Sequence, residues 1–136
     1  MIRRAFLALA LMSLAACATP AIQSPGLPPL GFTGPRIDRD VFISFDGARL
    51  GYSQWLPDGK PWAVIVALHG MNEYAGRFEL AGTYWAKHGV ATMAYDQRGY
   101  GRSPNRGIWA GEALLQRDLR TMIGLARARY PDAILA

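Results

Sequence analysis

Two short loops hold most of the side chains whose types and spacing could do chemistry. They contain His69, Gly70, Met71 and Asn72 in the first loop, and Asp96, Arg98, Gly99, Gly101 and Ser103 in the second. Each loop directly follows an apolar segment of the kind that forms a strand buried on both faces of a sheet. Because ligands of open α/β sheets bind at the carboxyl ends of the strands, these loops form the candidate site.

The residue types in the two loops predict a framework that shapes a site. His69 lies at a turn and can form hydrogen bonds with neighbouring backbone groups. The Asp96 carboxylate can accept hydrogen bonds from loop N–H groups, and Asp96 and Arg98 can pair with each other. Gly99 and Gly101 allow backbone angles that other residues resist.

A phosphate-binding glycine motif is not supported in the second loop. Pro104 stands where a dinucleotide-binding motif would have its third glycine. Ser103, which precedes this proline, is typical of a turn, and nothing beside it marks it as a nucleophile. The single cysteine excludes a CxxC metal site, and we expect neither a metal nor a cofactor.

Predicted strands and helices alternate around these loops. The predicted strands cover residues 41–45, 48–56, 62–68 and 91–95, and a last one begins at residue 133. Apolar residues at helical spacing predict two helices: Phe78, Ala81, Trp85 and His88 in the first, and Leu115, Leu119, Met122, Ile123 and Ala126 in the second. The order is a β-hairpin, then strand, helix, strand and helix, which predicts an α/β fold with a mostly parallel sheet and right-handed crossovers.

The N-terminus has the pattern of a secretory signal followed by a linker. Residues 5–16 are apolar but too few to span a bilayer, which needs about 20 residues. Residues 1–16 are therefore predicted to be a signal peptide, residues 17–37, rich in proline and glycine, a tether, and residues 38–136 a partial domain. The formal net charge is +5 with scattered arginines, so nucleic-acid binding is not expected.

Cys17 ends the sequence Leu14-Ala15-Ala16-Cys17, which resembles the lipobox of bacterial lipoproteins. The resemblance implies that Cys17 is lipidated, and more than one acyl chain gives lasting membrane attachment. Ala18, in place of an aspartate, indicates the outer membrane, with the protein facing the periplasm. The alternative is an ordinary cleaved signal with an incidental cysteine.

Together the loops resemble the α/β-hydrolase family, and more closely its monoacylglycerol lipase and lysophospholipase branch. The matching residues are His69, Gly70, Glu73, Arg77, Asp96, Arg98, Gly99, Gly101 and Ser103. The resemblance covers residues 39–136. Asn72 and Tyr74 depart from it, because the branch commonly has glycine and histidine at these places.

This resemblance implies that the first loop stabilises an oxyanion. In the family, the residue after His-Gly donates a backbone N–H to the developing negative oxygen, and here that residue is Met71. Alternatively, Met71 is only a loop residue over the core. The other loop residues would shape the site without belonging to the catalytic triad: His69, Gly70, Asn72, Asp96, Arg98, Gly99 and Gly101.

A serine nucleophile of the family type is absent from the sequence. Hydrolysis on this fold needs a Gly-x-Ser-x-Gly elbow between a strand and a helix, followed along the chain by the acid and the histidine. The serines, none of which has glycine two residues before and two after, are Ser13, Ser24, Ser44, Ser53 and Ser103. We therefore expect the N-terminal part of a hydrolase sheet, truncated before the elbow in the strand that begins at Ala133.

The sequence thus predicts the N-terminal portion of a membrane-anchored serine hydrolase that acts on acyl esters, of the esterase, lipase or lysophospholipase type. The expected partners are an acyl-ester or lipid substrate for the full-length protein and a membrane reached through Cys17. The 136-residue chain alone is expected to be inactive. The residues leave peptidase activity open, and the alternative function is a non-catalytic lipoprotein that binds a small ligand or a protein partner.

Overall fold

A computed structural model describes residues 21–136, so the predicted signal peptide and Cys17 lie outside the described residues. The strands are β1 (Arg36–Asp38), β2 (Val41–Ile43), β3 (Arg49–Trp55), β4 (Ala63–Ala67), β5 (Val90–Tyr95) and β6 (Ile134–Leu135). The helices are α1 (Glu79–Lys87), which follows a 3₁₀ turn at Ala75–Phe78, and α2 (Glu112–Arg129). Neither α1 nor α2 has the length and hydropathy needed to cross a membrane.

The strands form one sheet in the order β1-β2-β3-β5-β4-β6. Strand β4 pairs in parallel with both β5 and β6, which confirms the predicted α/β class with a hairpin followed by parallel strands. The sheet is mixed rather than mostly parallel, because the hairpin adds three antiparallel pairings. The third of these joins β3 to β5, with Trp55 opposite Thr92, and makes the hairpin continuous with the parallel strands.

Alternating residues of the central strands belong to two separate hydrophobic cores, one on each face of the sheet. On one face, Val64 and Met93 pack with Met122 of α2. On the other face, Ala67 and Ala94 pack against the turn before α1 and against Trp55. The two helices therefore cover opposite faces. Strand β5 is buried on both sides, as its apolar sequence predicted, whereas Ile65 and Val66 of β4 are half-buried.

The buried face of α2 differs from the predicted apolar stripe. The buried residues are Leu114, Asp118, Met122 and Ala126, so only the last two were predicted correctly. The predicted Leu115, Leu119 and Ile123 are half-exposed. Leu119 and Ile123 line an open groove beside β4 and β6, and Leu115 lines a second groove near Trp109. A pattern of apolar residues could not place Asp118 in the core, because its burial depends on a partner from a distant loop.

The described part of the predicted tether lies against the domain. The Gln23 N–H donates to the Trp109 carbonyl at 3.0 Å, and the Gly26 N–H donates to the Asp46 carboxylate at 2.7 Å. The predicted boundary after residue 37 falls inside β1, which pairs with β2. Ile37, the last residue of the predicted tether, packs against the core, and composition does not report such contacts or backbone hydrogen bonds to other segments.

Two helical glycines differ in the space around them and give a matched prediction. Alanine favours a helix over glycine by about 1 kcal/mol, so Gly124→Ala, where a Cβ meets nothing within 4 Å, should stabilise the protein by up to that amount. A Cβ at Gly82 would lie 2.6 Å from the Trp55 ring, so Gly82→Ala should lower the free energy of unfolding by about 1–3 kcal/mol. Urea unfolding of the full gene product measures both, and equal effects would contradict the packing of α1 on β3.

Candidate active site

His69 joins the loop after β4 to the loop after β5. Its Nε2 accepts the Gln97 N–H at 2.9 Å, which leaves the ring proton on Nδ1 to be donated to the Gly70 carbonyl at 2.8 Å. In return, the Gln97 side-chain amide donates to the His69 carbonyl at 2.6 Å. Both ring nitrogens of this buried imidazole are therefore committed to backbone groups, and the two loop tips are held together.

Met71 presents its backbone at the tip of the first loop. Within residues 21–136, its N–H donates to no other group, and its side chain is 74% exposed. The next residue, Asn72, has φ of 62°, in the left-handed region that glycine favours and that asparagine adopts more readily than most residues. This conformation accounts for asparagine standing where the resembling branch commonly has glycine.

Asp96 is fully buried and fixes both loops through its carboxylate. Oδ1 accepts the Ala75 N–H at 2.6 Å, and Oδ2 accepts the Arg102 N–H at 2.8 Å and its guanidinium at 2.9 Å. Burial opposes ionisation, but these hydrogen bonds and the charge of Arg102 outweigh it and hold the pKa of Asp96 below its usual range. A Cβ at Gly51 or Gly101 would collide with this carboxylate, so both positions require glycine.

From the sequence we expect Arg98 to pair with Asp96, but the structure shows no such pair. Arg98 is buried between two other carboxylates, with Nε 2.7 Å from Asp118 of α2 and both terminal nitrogens within 2.9 Å of Asp46 in the β2–β3 turn. Burial alone would lower the pKa of Arg98, but these two partners raise it. The Ser44 hydroxyl also donates to Asp118, so the cluster joins hairpin, loop and helix.

A cleft of about 450 Å³ separates the two loops. Its lining residues are Asn72, Glu73, Tyr74, Gly99, Tyr100, Gly101, Arg106 and Gly107. The Tyr100 ring packs edge-on against the His69 ring, with centroids 5.7 Å apart. Tyr100, which lines the cleft, is therefore in contact with the histidine that joins the loops. The structure thus brings the predicted residues of both loops to one edge of the sheet.

Ser103 holds the second loop in place. The Ser103 hydroxyl is buried and donates to the Asp96 carbonyl at 2.5 Å, so it serves the loop. No group of three or more possible metal ligands of the His, Cys, Asp or Glu type occurs within residues 21–136. What the arrangement offers chemically is an available backbone N–H at Met71, beside a cleft.

Sequence reasoning missed three residues that hold this framework: Gln97, Asp46 and Asp118. Gln97 lies between Asp96 and Arg98 in the second loop but carried no distinguishing signal, because its role rests on the histidine of another loop. Asp46 lies in the turn of the predicted hairpin, and Asp118 was not among the residues of the predicted apolar stripe of the second helix. A charged residue at a position facing the core was the only signal that could have found Asp118.

Comparisons with known proteins agree with this geometry. The family model described as serine aminopeptidase S33 matches residues 59–136. A monoacylglycerol lipase of Mycolicibacterium smegmatis is 33% identical over 91 residues, which are 66% of this chain and 32% of the lipase. An abhydrolase domain-containing protein of Dictyostelium discoideum is 36% identical over 90 residues, 66% of this chain and 9% of that protein. The chain therefore spans a third or less of the length of these relatives.

Solved structures share the fold. A carboxyl esterase of Bacillus coagulans superposes with a TM-score of 0.61 at 21% identity, covering 76% of this chain and 35% of the esterase. A monoglyceride lipase of Saccharomyces cerevisiae superposes with a TM-score of 0.59 at 24% identity, covering 82% of this chain and 38% of the lipase. These superpositions support the α/β-hydrolase architecture. At identities this low they show the fold alone, so the chemistry has to be argued from the residues of the site.

The Asp96 carboxylate predicts a pH-dependent stability. A carboxyl group with a lowered pKa in the folded state stabilises the protein above its unfolded pKa of about 3.9, and this contribution is lost as the pH falls through the folded value. Asp96→Asn should lower the free energy of unfolding at pH 7 by about 2 kcal/mol. Below about pH 4, the free energy of unfolding of this variant should decrease less steeply with falling pH than that of the parent.

Urea unfolding of the full gene product between neutral and acid pH tests this expectation. Asp132→Asn is the control, because Asp132 forms an exposed ion pair with Lys60 that solvent screens. An Asp96→Asn variant with the stability and acid sensitivity of the parent would show that the carboxylate does not fix the loops.

Proposed function

The chain belongs to the α/β-hydrolase family whose model is described as serine aminopeptidase S33, and from this we propose that the whole protein is a serine hydrolase acting on acyl esters. The ester class is favoured over a peptide by the monoacylglycerol lipase among its relatives. The nucleophile, the acid and the histidine would lie in the part of such a protein that these 136 residues do not include. This chain would contribute the oxyanion-binding loop and the cleft.

The observation that supports the oxyanion role is the available N–H of Met71 on a loop that His69 holds in place. A fixed N–H stabilises a developing negative oxygen because it is already oriented and need not reorganise during the reaction. The loop follows β4, and β6 lies beside β4 in parallel, with the Ala136 N–H bonded to the Val64 carbonyl at 2.9 Å. A nucleophile that follows β6 would therefore emerge at the same sheet edge as Met71.

In the proposed reaction, the serine attacks the ester carbonyl while the histidine accepts its proton, and the carbonyl oxygen becomes negative. The Met71 N–H donates to that oxygen. The histidine then protonates the leaving alcohol as its bond to the acyl carbon breaks. Water attacks the acyl-enzyme and gives a proton to the histidine, which passes it to the serine oxygen as the acid is released. His69 takes no proton in this scheme, because both of its nitrogens are engaged with backbone groups.

We also propose that the protein is a lipoprotein held in the outer membrane through Cys17. The supporting observations are the short apolar segment at residues 5–16 and the small residues before the cysteine. A lipid anchor suits an enzyme whose substrate is an acyl lipid, since both would then share one membrane.

The oxyanion role predicts a loss of turnover when the Met71 N–H is removed. In a gene product that includes a Gly-x-Ser-x-Gly elbow, Met71→Pro should lower kcat for a monoacylglycerol by about 10²–10³-fold, because proline has no N–H. Met71→Ala keeps the N–H and should retain most activity. Initial rates with the ester and with an aminoacyl nitroanilide distinguish lipase from peptidase activity.

Several results would contradict this proposal. Equal activity of the proline and alanine variants would exclude the Met71 N–H as a donor to the oxyanion. Faster cleavage of the nitroanilide than of the ester would exclude the proposed substrate class. Ester turnover by the 136-residue chain alone would contradict the placement of the nucleophile outside these residues. A gene product without an elbow would favour the non-catalytic binding protein.

The anchor has its own test. Cells labelled with an alkyne-bearing fatty acid should incorporate it into the parent protein and into Ser13→Ala, and not into Cys17→Ala. The parent should be recovered with the outer-membrane fraction, because stable attachment needs more than one acyl chain. A Cys17→Ala variant that fractionates like the parent would contradict lipidation at this residue.

A further inference from the structure

The segment from Ile22 to Gly26, which we call the strap, is fastened to one wall of the cleft. Its Gln23 side chain donates to the Ile108 carbonyl at 2.5 Å and accepts from the Asn105 amide at 3.2 Å. The Gln23 N–H donates to the Trp109 carbonyl at 3.0 Å. One glutamine thus binds three residues of the loop that carries Arg106 and Gly107 into the cleft.

The other end of the strap reaches the buried charge cluster. The Gly26 N–H donates to the Asp46 carboxylate, which in turn binds Arg98. Burial raises the pKa of Asp46, but hydrogen bonds from Arg98 and from the N–H groups of Gly26 and Ala48 lower it by more, so the net shift is downward. The carboxylate therefore stays charged and accepts a strong hydrogen bond from Gly26. The strap is therefore held at two places, by the cleft wall and by the hairpin.

This attachment shortens the length of chain between Cys17 and the folded domain. A free linker from Cys17 to Ile37 would reach about 70 Å, whereas the five steps from Cys17 to Ile22 reach about 17 Å. A folded domain of this size is roughly 35 Å across. The segment from Cys17 to Ile22, which we call the leash, is about half as long as the domain is wide. The cleft face therefore cannot turn away from the membrane in which Cys17 is anchored.

The rim of the cleft suits a lipid surface. Of the exposed apolar residues near it, Tyr74 lines the cleft, and Met71 and Ile108 are sequence neighbours of the lining residues Asn72 and Gly107. The exposed Ile22 of the strap pairs with the exposed Trp109, two residues beyond Gly107. Tryptophan and tyrosine favour the boundary between headgroups and acyl chains. Arg106, which forms no ion pair within the described part of the chain, would meet lipid phosphates at that depth.

We propose that the strap holds the cleft mouth against the bilayer that anchors Cys17, so that the site takes acyl lipids directly from that membrane. This inference rests on the proposed lipid anchor and ester substrate. The strap therefore orients the enzyme as well as ordering the cleft wall, and Gln23 is a positioning residue.

Fluorescence quenching on vesicles tests the orientation without using activity. The full gene product would carry a single added cysteine, Ile108→Cys at the rim or Gly59→Cys in the turn at the opposite end of the sheet, where a Cβ meets nothing within 4 Å. Each is labelled with bimane maleimide and placed in phosphatidylethanolamine and phosphatidylglycerol vesicles containing a spin-labelled lipid. We expect several-fold stronger quenching at position 108 than at position 59.

Two kinds of change, one in the leash and one in the strap, separate the effect of the strap on orientation from the effect of the rim residues. A flexible 15-residue insertion after Ala18 restores the reach of a free linker and should make quenching equal at both positions. Gln23→Ala should weaken the preference for position 108, whereas Ser24→Ala, which changes an exposed neighbour, should keep it. Equal quenching with the native leash, or a preference that survives the insertion, would overturn the proposal.

The same experiment reports on the anchor separately. Lipidation alkylates the Cys17 sulfur, so the parent protein without an added cysteine should not react with maleimide. A reactive Cys17 would refute the anchor, and with it this inference, while leaving the hydrolase proposal intact. Equal quenching on a parent protein that incorporates the fatty-acid label would refute the strap alone.

Discussion

The hydrogen bonds between His69 and Gln97 set the geometry on which the site depends. They join the loops that follow two neighbouring strands, and each contact uses a backbone group of one loop. Because the second nitrogen of His69 holds the Gly70 carbonyl, the same ring fixes the peptide that precedes Met71. A histidine in this place acts through its two nitrogens as a structural link, which explains why a titratable side chain beside a cleft need not be catalytic.

Buried charges hold the rest of the framework around that link. Arg98 shares two carboxylates from the hairpin and α2, while Asp96 holds the loop backbone and Arg102. Removing one partner would leave an uncompensated charge inside the protein, which costs far more than the pair contributes, so these contacts specify one arrangement of the loops. The strap uses the same cluster through Asp46, and in this way the N-terminal segment is tied to the site.

The elements were predictable from the sequence because their signals are local. Apolar runs identified β4 and β5, and the loop motifs identified the edge where they end. The pairing of Arg98 was not predictable, since its partners lie 52 and 20 residues away and one of them, Asp118, interrupts the apolar face of a helix. The strap was missed for a related reason. Proline and glycine exclude a core, but Gln23 and Gly26 show that a segment without a core can still be held by hydrogen bonds.

The central claim is that Met71 donates its N–H to the oxyanion of an ester hydrolase. The most direct measurement is a crystal structure of the complete gene product after reaction with an alkyl phosphonate ester, whose phosphonyl oxygen occupies the position of the oxyanion. We expect that oxygen to lie about 3 Å from the Met71 nitrogen, with the His69–Gln97 contacts intact. A phosphonyl oxygen held by other donors, with the Met71 N–H turned away, would contradict it.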